Sequence, residues 1–256
     1  MQTGAFTGYF DVAQVVLYIF WIFFAGLVFY LRREDKRDGY PLESDRSGGR
    51  IRVQGFPSMP APKTMVLTDG SLFYSPHPDV DNRQLMARPT NSALGSPLTP
   101  IGNQMLAAVG PGSYAQRSNH PDIMLDGLPL IVPLRRAAGF SVASEDPDPR
   151  GMGVYGADRE RAGTVTEVWV DRAEPQIRYL ELEIPGGRRV MLPIHFSKFD
   201  VRRGRVNVQA ILSTQFADVP ALANPDQITL LEEDKITAYY GGGKLYATAA
   251  RSEPFI

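Results

Sequence analysis

From Val12 to Leu31 the chain reads VAQVVLYIFWIFFAGLVFYL, twenty residues without a charge. An α-helix rises about 1.5 Å per residue, so this run predicts a helix about 30 Å long, the hydrocarbon thickness of a bilayer. Gln14 is its only strongly polar side chain and lies near one end, within reach of headgroups. Tyr9, Phe10 and Tyr30 stand at the two ends, where amphipathic rings favour the interface. Core helices of soluble proteins seldom stay uncharged for so long, and a signal peptide needs a positive leader, whereas residues 1–10 hold no Lys or Arg. The reading is one membrane-spanning helix.

The pattern then inverts. Arg32-Arg33-Glu34-Asp35-Lys36-Arg37 places four cations in six residues, while Asp11 is the only charge before the span. Cations flanking a span stay in the cytoplasm, which predicts a periplasmic tail over 1–11 and a cytoplasmic remainder. Tyr30, Arg33 and Lys36 are the candidates for contact with lipid headgroups. Asp38-Gly39-Tyr40-Pro41-Leu42 ends the helix.

Within a juxtamembrane and extended segment over 32–112, regular periodicity is lost from Ser44 to about Gly112, where prolines recur, and Thr64-Met65-Val66-Leu67 and Ser71-Leu72-Phe73-Tyr74 are isolated strand candidates about an Asp69-Gly70 turn. Phe56, Met59, Met65, Phe73 and Met86 make this run too apolar for a free linker, so it is expected to lie along a partner's surface.

Over 113–256 the β period takes over. Strands are expected at 130–134, 139–142, 163–171, 177–184, 189–194 and 205–211, with Gly186-Gly187 turning one hairpin. In the 177–184 strand Leu180, Leu182 and Ile184 share one face, and Tyr179, Glu181 and Glu183 the other. Short strands at near-even spacing, in antiparallel order, predict a small closed barrel. Ser213–Val219 is a short helix candidate. A second begins at Thr229, whose spacing to Glu232 is that of a capping box, and is expected to stop at Gly241-Gly242-Gly243, with Lys244–Ala247 as one more strand candidate.

Composition narrows the chemistry. The chain has 256 residues and no Cys, which excludes disulfides and thiolate catalysis. Its 27 cations and 27 of its 28 acids follow the span, so that part is formally neutral and lacks the basic excess that nucleic-acid binding needs. His77, His120 and His195 lack metal-ligand spacing, Gly241-Gly242-Gly243-Lys244 is not a phosphate loop, and no Gly-x-Ser-x-Gly elbow occurs. Nothing points to an enzyme. Of the acids Asp158, Glu160, Glu167, Asp171, Glu174, Glu181 and Glu183, most read as a solvated face. Glu174 stands apart: it follows a strand, beside Pro175 and between Arg172 and Arg178, where a buried carboxyl would titrate near neutral pH.

Tyr30 to Leu42, Pro62-Lys63-Thr64, Val109-Gly110-Pro111, Val168-Trp169-Val170-Asp171, Arg178-Tyr179-Leu180-Glu181 and Leu231-Glu232-Glu233-Asp234-Lys235 carry a resemblance over nearly the whole chain. It closely resembles the H subunit of the purple-bacterial photosynthetic reaction centre. The resemblance implies a single N-terminal transmembrane helix and a cytoplasmic domain with the small antiparallel PRC-barrel and short C-terminal helices. It implies a bacterial inner, intracytoplasmic membrane location. The partners would be the L and M subunits, with a cytochrome subunit and the light-harvesting ring as further neighbours. This chain would hold no cofactor itself, while the complex carries bacteriochlorophyll, bacteriopheophytin, quinones, non-haem iron and a carotenoid.

The same resemblance implies that the cytoplasmic domain caps L and M and helps conduct protons to the secondary quinone. Glu174 matches the family's proton-path glutamate, Asp171 and Arg178 its neighbours, and Asp126 an acid near the proton entrance. Some relatives carry two histidines just after that acid, where this chain has Leu128 and Leu130, so the histidine entrance does not carry over. The other reading is a membrane-anchored barrel module that binds a cytoplasmic protein partner.

Overall fold

A computed structural model describes residues 11–42, 54–75, 84–93 and 95–252. Tyr9, Phe10 and His77 lie outside them. The chain divides into two compact units, one within 1–83 with 93–95, the other within 84–92 with 96–256.

In the first unit α1 spans Val12–Glu34, with every residue from Val12 to Leu31 exposed or half-buried in the isolated chain. That is how a lipid-facing helix must look outside its solvent. Asp11 starts it: Asp11 Oδ1 accepts the Gln14 N–H at 2.8 Å and Gln14 Oε1 accepts the Asp11 N–H at 3.3 Å. Gln14, expected to reach for headgroups, instead closes a reciprocal cap. A short 3-10 turn, Asp35–Arg37, follows. The Asp69-Gly70 hairpin forms as expected from β1 (Lys63–Val66) and β2 (Leu72–Ser75), with Gly70 at φ +80° and Asp69 Oδ1 accepting the Ser71 N–H at 2.9 Å.

The second unit begins with a hairpin the pattern did not reveal, β3 (Ala87–Pro89) against β4 (Leu98–Pro100). Its main sheet uses β5 (Ile131–Pro133), β6 (Gly153–Tyr155), β7 (Arg161–Asp171), β8 (Gln176–Glu183), β9 (Arg189–Pro193), β10 (Ser197–Asp200) and β11 (Arg205–Val208). The hydrogen-bonded order is β10-β11-β6-β7-β8-β9, with β5 paired to the end of β7. One long strand thus carries two partners along one edge, β6 at its start and β5 at its end, while β8 lines the other. Two expectations are corrected. Residues 139–142 form turn and extended chain, and β6 pairs parallel with β11, so the order is not wholly antiparallel. Among the described residues no ladder joins β9 to β10.

What covers the sheet is α2 (Leu230–Tyr246), begun by the expected Thr229–Glu232 box. Trp169, Leu180, Leu182, Leu192, Val206, Ile211, Phe216, Ile236 and Tyr240 form a continuous buried core. The glycine run does not stop this helix. A Cβ on Gly243 would lie 2.4 Å from Ile211 Cγ2, and one on Gly241 2.9 Å from the Pro111 carbonyl oxygen. The glycines let the helix approach backbone, and Lys244–Tyr246 is its last turn rather than a strand. The other C-terminal helix is a single 3-10 segment, Ser213–Asp218.

Glu167 and Glu181, read as solvated, are buried cross-strand partners on β7 and β8. Glu181 accepts from Trp169 Nε1 at 3.0 Å and Arg189 Nη1 at 2.9 Å, and Arg135 Nη1 stands 3.3 Å from Glu181 Oε2 and 3.6 Å from Glu167 Oε2. The sheet is covered on this side by arginines. Alternation told which residues share a face, but not that both faces are packed.

Candidate functional site: the acidic end of the sheet and a charged pocket

The β7–β8 turn is built by its own first residue. Asp171 is buried, and its Oδ1 accepts the N–H groups of Ala173 at 2.9 Å and Glu174 at 3.1 Å. A short side-chain acceptor that satisfies the next backbone donors is the usual reason for Asp at a turn. Arg172, next in line, ties a second segment to this end. Its backbone N–H donates to the Leu130 carbonyl at 3.0 Å, Nη1 to the Pro129 carbonyl at 3.0 Å and Nη2 to Asp126 Oδ2 at 2.6 Å. Asp126, Asp171 and Glu174, separated by up to 48 positions in sequence, therefore share one end of the sheet.

Glu174, which the sequence left open to burial, is exposed on the isolated chain. Pro175 is exposed as well, and the partner that the turn supplies is Gln176, whose Nε2 donates to Glu174 Oε2 at 3.1 Å. Asp126 is held below the usual carboxylate range by the Leu128 N–H first and by Arg172 second. The hairpin that carries it presents Ile123, Leu125 and Leu128 outward as an apolar tip.

Arg178 lies on β8. It lines a polar cavity of 310 Å³ together with Arg117, Gln176, His195, Glu233 and Asp234. Glu233, on the first turn of α2, is half-buried, and its Oε2 accepts the Tyr179 O–H at 2.8 Å. Burial outweighs the hydrogen bond and the charges of Arg178 and Arg117, so the Glu233 carboxyl sits above its ordinary value. Tyr179 is raised for the same reason, burial first and Glu233 second. His195 is pushed down by partial burial, then by Lys244 and Arg178. Sequence reasoning missed Glu233, because a helix-start acid reads as a dipole partner and only the docking of α2 on β8 places it against Tyr179.

At the end of α1, Tyr30 and Arg33 are exposed. Lys36 is not. It is 1% exposed, and its ammonium donates to the carbonyls of Gln54 at 2.8 Å and Pro57 at 2.5 Å beneath the Tyr40 ring. The headgroup assignment of Lys36 is corrected: it fastens the helix exit to the 54–57 loop. Arg37 does likewise, donating to Ala61 O at 2.6 Å and Ser75 O at 2.9 Å while paired with Glu34. Among the described residues no three His, Asp or Glu groups stand together as a metal site.

An apolar helix left unburied among the described residues, joined in one chain to a β-rich unit with acids at one end, fits a membrane-anchored protein. Residues 4–136 match the family described as photosynthetic reaction centre, H-chain N-terminal region, and residues 142–215 match the PRC-barrel domain. The chain belongs to the family of photosynthetic reaction centre H chains. Such chains are structural subunits of a complex of pigments and quinones, and they associate with its L and M subunits.

Proposed function

We propose that this chain caps the cytoplasmic face of L and M, steadies the quinone sites and passes protons to the secondary quinone as it is reduced. Two negative charges on a quinone in a medium of low dielectric are costly unless protons arrive with the electrons. A site under a protein cap receives them through titratable side chains and ordered water. The observation that carries this reading is the Asp171 turn. It fixes the backbone of Glu174 and leaves its carboxyl on the surface, available to a neighbouring subunit.

In this reading Glu174 takes and releases the proton, and Asp171 positions it. Asp126 marks the outer end and Arg178 balances negative charge on the path. There Asp126 is paired with Arg172 at 2.6 Å. The amino terminus lies in the periplasm and the β-rich unit in the cytoplasm. A cytochrome subunit, the light-harvesting ring and lipid at Tyr30 and Arg33 are the further neighbours.

The test is the second electron transfer to the secondary quinone after paired flashes in complexes carrying Glu174→Gln, which removes the proton and keeps the shape. A slower second transfer with an unchanged first transfer is expected. Two unchanged rates would reduce Glu174 to a turn residue.

A further inference from the structure

The charged pocket beside β8 stands outside the Glu174 turn yet touches it. Gln176 hydrogen-bonds Glu174 at 3.1 Å and also lines the pocket, so the two regions share a side chain. In the same pocket Glu233 meets Tyr179 at 2.8 Å. The cavity, 310 Å³ and lined by charged groups, has room and hydrogen-bonding partners for several water molecules. Groups acting on Glu233 come from several elements: Arg178 and Tyr179 from β8, Arg117 from the segment before β5 and Asp234 from α2 itself, while His195 from the turn after β9 lines the same pocket.

We infer that Glu233, held by Tyr179, is a proton-holding group of this chain, joined through water in the pocket and Gln176 to the Glu174 turn. The inference rests on the proton-conducting reading above and deepens it. A carboxyl near an arginine pair ordinarily stays ionised, but here burial is the larger effect and shifts the balance toward the acid form. Arg178 and Arg117 keep that form from being locked: they stabilise the carboxylate once the proton has left. The step is a proton transfer only. The proton bound to a Glu233 oxygen passes to pocket water, and a proton from bulk water replaces it. Tyr179, raised far above neutral pH, stays protonated and acts only as a hydrogen-bond donor.

The experiment is the flash-induced infrared difference spectrum of the intact complex on reduction of the secondary quinone, in H₂O and D₂O. A carboxylic-acid C=O band that shifts in D₂O is expected in the wild type. It should vanish in Glu233→Gln, remain in Glu174→Gln and move in frequency in Tyr179→Phe. A band unchanged in both Glu233→Gln and Tyr179→Phe overturns the inference, whatever Glu174→Gln does to electron transfer. A band lost in Glu233→Gln beside normal electron transfer in Glu174→Gln upholds it and removes only the role of Glu174. If Glu233→Gln does not assemble, the frequency shift in Tyr179→Phe decides alone.

Discussion

The indole N–H of Trp169 donates to Glu181 Oε2 at 3.0 Å, joining the largest buried side chain of the core to a buried carboxylate on the next strand. Glu181 is 4% exposed, while its partners Arg135 and Arg189 reach it from the surface. Trp169→Phe keeps most of the volume but leaves one carboxylate oxygen short of a donor, at a cost of about 1–2 kcal/mol. Denaturant titration of the purified chain in detergent should show a lower midpoint with an unchanged slope. An unchanged midpoint would mean that Arg135 alone satisfies that oxygen.

Gly243 sets two effects against each other. In a helix interior Gly→Ala gains about 1 kcal/mol from propensity. Here the added methyl meets Ile211 Cγ2 at 2.4 Å and the Ala210 carbonyl oxygen at 2.7 Å. Overpacking against backbone costs about 1–3 kcal/mol or more, so Gly243→Ala should destabilise on balance. Thermal unfolding checks the sign, and a stabilised variant would show that α2 can shift away from the sheet.

Lys36→Met is expected to free the 54–57 loop from the end of α1. The substitution leaves the carbonyls of Gln54 and Pro57 without their donor in a buried position, a loss of about 2–4 kcal/mol. Limited proteolysis near Gln54 should accelerate, while an exposed control, Arg33→Met, should leave it unchanged. Equal cleavage in wild type and Lys36→Met would restore the lipid-facing reading of this lysine.

Acid sensitivity follows from carboxylates whose folded values lie below 3.8: Asp126 beside the Leu128 N–H and Arg172, and Asp226 beside Arg136 and Arg135. A depressed folded value gives stability that is complete above the unfolded value and lost as pH falls through the folded one. Glu233 acts in the opposite sense: its raised value favours the fold at low pH, and that contribution fades as pH rises through it. The unfolding midpoint should therefore drop below about pH 3.8, and less steeply in Asp226→Asn. Parallel pH curves for the two proteins would remove Asp226 from the account.

Much of the architecture was legible in residue order. The uncharged run from Val12, the Asp69-Gly70 and Gly186-Gly187 turns and the Thr229–Glu232 box act locally, and each forms where the pattern put it. Three-residue β6 and the β10 hairpin partner were not legible, because their strand character comes from β7 and β11 rather than from themselves. The glycine run misled because a helix stop and a close backbone contact need the same residue. At the site, sequence marked Asp126, Asp171 and Glu174, which the fold gathers at one end. It allowed a buried Glu174, which the isolated chain leaves exposed, and it passed over Glu233. Burial of one acid and exposure of another are decided by which element docks above them, and residue spacing does not contain that information.

The most direct test of the central proposal is the second electron transfer to the secondary quinone in reaction centres stripped of this chain and then reconstituted with it. Loss of the cap should slow the second, proton-coupled transfer more than the first, and added chain should restore it. Equal rates in stripped and reconstituted complexes would contradict the proposal, leaving a membrane-anchored module whose business is with another partner.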